Sequence, residues 1–163
     1  MQSTYWNKMT QYKYEIFYLE NYLGRNVKID RMIHICLAIA SASSIAAWAH
    51  WQKLAFVWGL IIVVSQVVSA INDYLPYKKR IKEISDLLNE FSIIYNNVEK
   101  DWQKVANGSL SEDDINDLCY SYSGEWIKAD NKFFKDDHLP QNKDCKECAE
   151  NMKNSYFNCV FGG

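Results

Sequence analysis

The chain has 163 residues, a formal net charge of −2, 48% hydrophobic residues and 23% charged ones. That length suits one domain, or a membrane hairpin carrying a modest soluble part. A balance so near neutrality provides no global basic field, so direct nucleic-acid binding is not expected.

Residues 3–31 contain no Pro and one Gly, Gly24. Tyr5, Met9, Tyr12, Ile16, Leu19 and Leu23 are spaced 4, 3, 4, 3 and 4 apart, a helical stripe of heptad type. Lys8, Gln11 and Glu15 fall on the opposite face. The expectation for residues 1–31 is a cytoplasmic amphipathic helix feeding straight into an apolar run. Acidic Glu15, Glu20 and Asp30 precede that run, which is not the pattern of a secretory leader.

Between Arg31 and Asp73 the only formally charged side chain is Lys53. It separates two apolar runs, 32–49 and 54–71, of 18 residues each. As helices each would be roughly 27 Å long, close to the roughly 30 Å hydrocarbon thickness of a bilayer. The expectation is two transmembrane helices joined by an outer turn at 50–53. Arg25, Lys28 and Arg31 precede the first run, and Lys78, Lys79, Arg80 and Lys82 follow the second. That bias places both termini in the cytoplasm and the turn outside. Trp48, Trp51, Tyr74 and Tyr77 suit the interfaces.

The first run is rich in small residues: Ala38, Ala42 and Ala46 fall four apart, with Ser43 beside them. Such residues let helices approach closely in lipid. They serve either contact with the second run, or an oligomer interface or pore lining. Ser65, Gln66 and Ser69 in the second run join the pore or interface set, since a Gln in hydrocarbon needs a polar partner. His34 sits at similar depth and could line a vestibule with Gln66, or be simply solvated.

Pro76 stands where a new helix begins. Ile81, Ile84, Leu88, Phe91, Tyr95, Val98, Trp102 and Val105 then form an unbroken a/d seam over residues 76–106. This helix is expected to run antiparallel to the N-terminal one as a stalk, closing within one chain or between chains. On that register Leu87 lies off the seam. Asn107-Gly108-Ser109 is a break. Ser111-Glu-Asp-Asp114 matches a capping box opening a helix whose apolar face is Ile115, Leu118, Cys119, Tyr122, Trp126 and Ile127. Gly124 weakens it. A second break at 136–140 precedes a last helix over about 141–157. Residues 111–150 carry eleven acidic and five basic side chains, so 111–163 reads as an acidic helical C-terminal region.

Of the five cysteines Cys36 would lie in the first span, and Cys119, Cys145, Cys148 and Cys159 on the cytoplasmic side where thiols stay reduced, so disulfides are not expected. His138, Cys145, Cys148 and Cys159 are the one weak metal candidate, because Cys-x-x-Cys is a common zinc nucleus. The outer spacings fit no common finger, so no metal or other cofactor is expected. No phosphate loop, nucleophile elbow or zincin motif is present, and no catalytic residue is assigned.

The aromatic N-terminal helix, the two-span hairpin with a short outer turn, the basic Pro76-Tyr-Lys-Lys-Arg80 exit and the helical tail together resemble the SLATT-type two-transmembrane effectors of bacterial conflict systems. The resemblance covers about residues 10–130 and is one of architecture. It implies a membrane effector of anti-phage defence that oligomerises to permeabilise the inner membrane. Its trigger would be a partner sensor of nucleotide-messenger or retron type, a protein or ribonucleoprotein from the same operon. The alternative is a membrane-anchored, non-enzymatic scaffold or regulatory subunit holding a cytoplasmic partner. The full expectation is therefore all-α: an integral membrane hairpin, an antiparallel cytoplasmic stalk and a short helical C-terminal region, forming a homo-oligomer in the lipid bilayer.

Overall fold

The computed structural model describes residues 1–48, 56, 59–60, 63–64, 66–67, 77–135 and 139–162, without the side chains of 40–48 and 77–79. The protein is all-α. Helix α1 spans Gln2–Trp48, α2 Tyr77–Ala106, α3 Glu112–Phe134 and α4 Lys143–Phe161. The expected outer turn, Ser65, Ser69, Pro76 and His138 lie outside the described residues.

The local signals explain the helix ends. Helix α2 stops in a Schellman motif. Gly108 adopts φ 67°, the left-handed region that favours glycine. The Ser109 N–H then donates to Lys104 O and the Gly108 N–H to Val105 O, each at 3.1 Å. Helix α3 opens on the predicted capping box. The Asp114 N–H donates to Ser111 Oγ at 3.2 Å, and the Ser111 N–H donates back to the Asp114 carboxylate at 3.1 Å. The Ser111 hydroxyl, which donates to the same carboxylate at 2.6 Å, and then the Ser111 N–H hold the Asp114 carboxyl below its ordinary range. At α4 the Asn142 side chain accepts from the Cys145 N–H at 3.0 Å. Helix α4 runs four residues beyond the expected end, to Phe161.

The chain divides into two compact units, Met1–Gly24 with Lys82–Gly163, and Arg25–Ile81. The first is an antiparallel four-helix bundle. Gln2 Nε2 donates to Val105 O at 2.8 Å and the Tyr5 hydroxyl to Val98 O at 2.9 Å, so α1 and α2 run in opposite directions. Helix α3 lies along α1 in the same sense, through Lys8–Ser123 at 2.6 Å and Trp126–Glu15 at 2.7 Å. Helix α4 runs against α1, with Cys148 beside Asn21 and Phe157 beside Trp6. The order is up-down-up-down, the arrangement that short loops favour.

The seam thus closes within the chain. Ile84, Phe91, Tyr95, Val98 and Val105 are buried, while Leu88 and Trp102 are half-buried against the core. Ile81 is half-buried and belongs to the other unit. Leu87, expected off the seam, is buried at 1% exposure, and Ile94 is buried as well. The reason is geometric. A strict a/d stripe serves one partner, whereas α2 meets α1, α3 and α4, so its buried arc widens by one position per heptad. The same widening corrects the expected polar face of α1, because Lys8 and Glu15 are engaged by α3 rather than by water. Nor is the acidic C-terminal region a separate appendage. Its helices supply Ile115, Cys119, Tyr122, Trp126, Ala129, Phe134, Cys145 and Ala149 to the bundle core. Ile127, expected on the α3 core face, is exposed, and Leu118 is half-buried.

In the second unit α1 continues through Arg25–Trp48, and none of the described side chains is buried. Met32, Ile35 and Ile39 form an exposed apolar stripe on α1, and Phe56, Leu60, Val63, Val64 and Val67 are each exposed as well. Among the described residues no helix is long and apolar enough to cross a membrane.

Candidate functional site

Two features stand out: the exposed apolar side chains among the described residues of 25–81, and an aromatic and ionic core inside the bundle.

On the first, Ala38 is an exposed position of α1. Ala42, Ser43 and Ala46 lie on the α1 backbone, four-residue spacing keeping Ala38, Ala42 and Ala46 on one face. Gln66 is exposed. His34 Nε2 lies 3.6 Å from Asp30 Oδ1, one turn earlier. That pairing favours the solvated reading of His34 over the vestibule one. Phe56 is 84% exposed, an extreme value for so large an apolar ring.

Inside the bundle, Trp126 is clamped between two rings. Phe91 stacks on one side at 3.7 Å and Tyr12 at 4.2 Å. With both faces covered, its indole N–H is fixed and donates to Glu15 Oε2 at 2.7 Å. Gln11 Nε2 donates to Glu15 Oε1 at 3.1 Å. Burial raises the Glu15 carboxyl above its ordinary value, and the two hydrogen bonds pull it part of the way back.

On another side of α1, Lys13 Nζ sits over three rings, Tyr156 at 4.1 Å, Tyr95 at 4.5 Å and Phe17 at 5.1 Å. Desolvation lowers the Lys13 ammonium, and Glu99 and Glu20 oppose that shift. The Tyr156 hydroxyl donates to Glu99, and burial with that carboxylate pushes the phenol up to about 12. A third polar link joins α2 to α3: the Tyr122 hydroxyl donates to Asp101 at 2.7 Å, and Lys104 holds the same carboxylate at 2.8 Å. Lys104 is the main reason that Asp101 stays below its ordinary range.

The metal candidate does not assemble among the described residues. Cys145 is buried, Cys148 and Cys159 are exposed, and no group of three or more His, Cys, Asp or Glu is placed to hold an ion. From sequence Trp126 is placed only on the apolar face of α3 and Glu15 only on the polar face of α1, and Lys13 is not singled out. The contacts that join them to other helices, Glu15–Trp126 and Lys13–Tyr95, each link residues more than eighty positions apart, and no local spacing signals such a pairing. No family model, curated protein or solved structure matches this chain.

Proposed function

We propose that this protein is a non-enzymatic membrane effector. Residues 32–71 insert in the inner membrane as a two-helix hairpin, and the four-helix bundle is its cytoplasmic body. Activation by a partner sensor, a protein or ribonucleoprotein from the same operon, would drive homo-oligomerisation and permeabilise the bilayer in anti-phage defence. The observation that carries the membrane part is the exposure of ten large apolar side chains between Val27 and Val67, in a unit whose described side chains include none that is buried. Burying such a side chain is worth about 1.5–3 kcal/mol. At roughly half exposure, ten of them leave on the order of 10 kcal/mol unrealised. That equals the whole folding free energy of a typical domain. A surface of this kind needs a cover, and a segment with one charge in 41 residues suits hydrocarbon.

The effector role rests on the architectural resemblance and on the Ala38, Ala42, Ala46 face. A scaffold role has its own support. Ile93, Tyr120 and Ile127 are large, exposed and on the outer side of the bundle, where a partner helix could dock. The deciding experiment expresses the chain alone and with its operon neighbours and follows membrane potential. Depolarisation on triggering supports the effector. Full membrane localisation with unchanged potential under every trigger supports the scaffold. Quantitative extraction without detergent refutes both.

A further inference from the structure

A cleft of about 240 Å³ opens into the bundle between α1, α2 and α3. Its inner wall is apolar, with Leu19, Leu87 and Phe134. Two carboxylates face it: Glu15 inside, and Asp130, an exposed residue, toward the mouth. Ile127, 58% exposed, stands at the rim. Among the described residues the lining contains no Lys, Arg or His.

Among the described residues the charge is not balanced from within. Glu15 accepts two hydrogen bonds, both from neutral donors, Gln11 and Trp126. A carboxylate has about four lone-pair sites, so acceptor capacity remains. The charged group that acts on Glu15 most is another carboxylate, Asp130. A desolvated charge without a counter-ion is costly, and a bound cation removes that cost.

We infer that this cleft binds a small organic cation, an amine or amidinium carried on an apolar body of about one ring. The carboxylates would pair with the charged head, and the Leu19, Leu87 and Phe134 wall would take the body. Other ligand classes fit worse. An anion would meet two like charges. A bare divalent ion wants six or more oxygens, and the apolar wall supplies none. A neutral apolar molecule would leave Glu15 as it is. The volume lies below the range of sites for drug-sized ligands, which limits the guest to a small one. Trp126 contributes position rather than a π-face, since Phe91 and Tyr12 occupy both of its faces. The site lies wholly within the bundle, so it stands apart from the membrane reading.

The test uses the full chain in detergent and two near-isosteric, water-soluble probes, benzamidinium and benzamide, titrated calorimetrically against a micelle blank. Benzamidinium should bind saturably and at least about tenfold more tightly than benzamide, a difference of about 1.4 kcal/mol. Glu15→Gln should erase that preference, and Asp130→Asn at the exposed mouth should weaken benzamidinium several-fold. Ile127→Trp should block both probes while leaving the helical circular dichroism unchanged. If Glu15→Gln fails to fold, the two rim variants and the charge preference decide. Equal affinity for the two probes, no benzamidinium binding by roughly 10 mM, or full binding by Ile127→Trp would overturn the assignment.

Discussion

Leu87 and Leu88 are adjacent on α2, and the two ways of reading that helix rank them oppositely. A pure a/d seam makes Leu88 the core residue. In the bundle Leu87 is 1% exposed and Leu88 only half-buried. Truncating either to Ala removes about three methylene equivalents, worth about 0.8 kcal/mol each when fully buried, or about 2.4 kcal/mol. At Leu87 a cavity term adds to this, because the neighbouring Phe91 is held in its stack with Trp126 and cannot readily collapse into the void. The total for Leu87→Ala is about 3–4 kcal/mol. At Leu88 about half of the transfer term applies and solvent fills the gap, giving about 1 kcal/mol. For a unit of about a hundred residues each kcal/mol moves the melting temperature by about 4–8 °C. Leu87→Ala should therefore lower the Tm by more than about 12 °C and Leu88→Ala by about 5 °C. The assay is thermal unfolding of the full chain in detergent, followed by circular dichroism at 222 nm. Equal shifts, or a larger loss at Leu88, would refute the three-partner packing of α2.

Gly124 lies inside α3, and a Cβ there would meet nothing within 4 Å; Gly124→Ala should raise stability by about 0.8–1 kcal/mol, read as an upward Tm shift, and a fall would show a contact at that face. Glu15 is pushed above its ordinary value of 4.5 by burial, with Gln11 and Trp126 donating to it and Asp130 repelling it. Its contribution is therefore fully present below pH 4.5 and is lost as pH rises through the folded value. Glu15→Gln, which stays neutral, should gain on the native chain in urea midpoint as pH rises from 4.5 toward neutrality, and a constant difference across that window would contradict the shift. Ala42→Leu should leave membrane abundance normal while reducing crosslinked oligomer and toxicity, because lipid accepts Leu readily and a close helix contact does not; unchanged oligomer would mean that this face of α1 is not the assembly surface.

What could be read in advance follows the range of each signal. The stripes of α1 and α2 were legible because a heptad period is local and one apolar partner suffices to produce it. The α2 stop and the α3 start were legible because Gly108, Ser111 and Asp114 act on backbone within a few residues. The placement of α3 and α4 was not. Their sequence is rich in acids, and the rings that fix them, Trp126 between Phe91 and Tyr12 and Phe157 against Trp6, join segments far apart in the chain. The exposed-face reading of Glu15 failed for the same reason: a helical wheel assigns a solvent side only when the number of packing partners is known.

The choice between lipid and a protein groove as the cover for residues 32–71 turns on the shape of the apolar surface. A helix that docks in a groove keeps one polar face for water, and α2 shows that pattern, with Glu83, Asp86, Asn89, Glu90 and Lys100 set between its buried positions. The 32–49 run has no such face. Ser41, Ser43 and Ser44 are its only polar residues after His34, and none carries a charge. A helix apolar all round belongs either in a protein core or in a bilayer. Met32, Ile35, Phe56, Leu60 and Val63 are exposed, which removes the core of this chain as their burial place. A core built from several copies would still leave each helix a solvent-facing side that needs charges to stay in water. Hydrocarbon makes no such demand, and on the proposed membrane reading the single Lys53 between the runs and the basic clusters at Arg25–Arg31 and Lys78–Lys82 would fall where headgroups receive them.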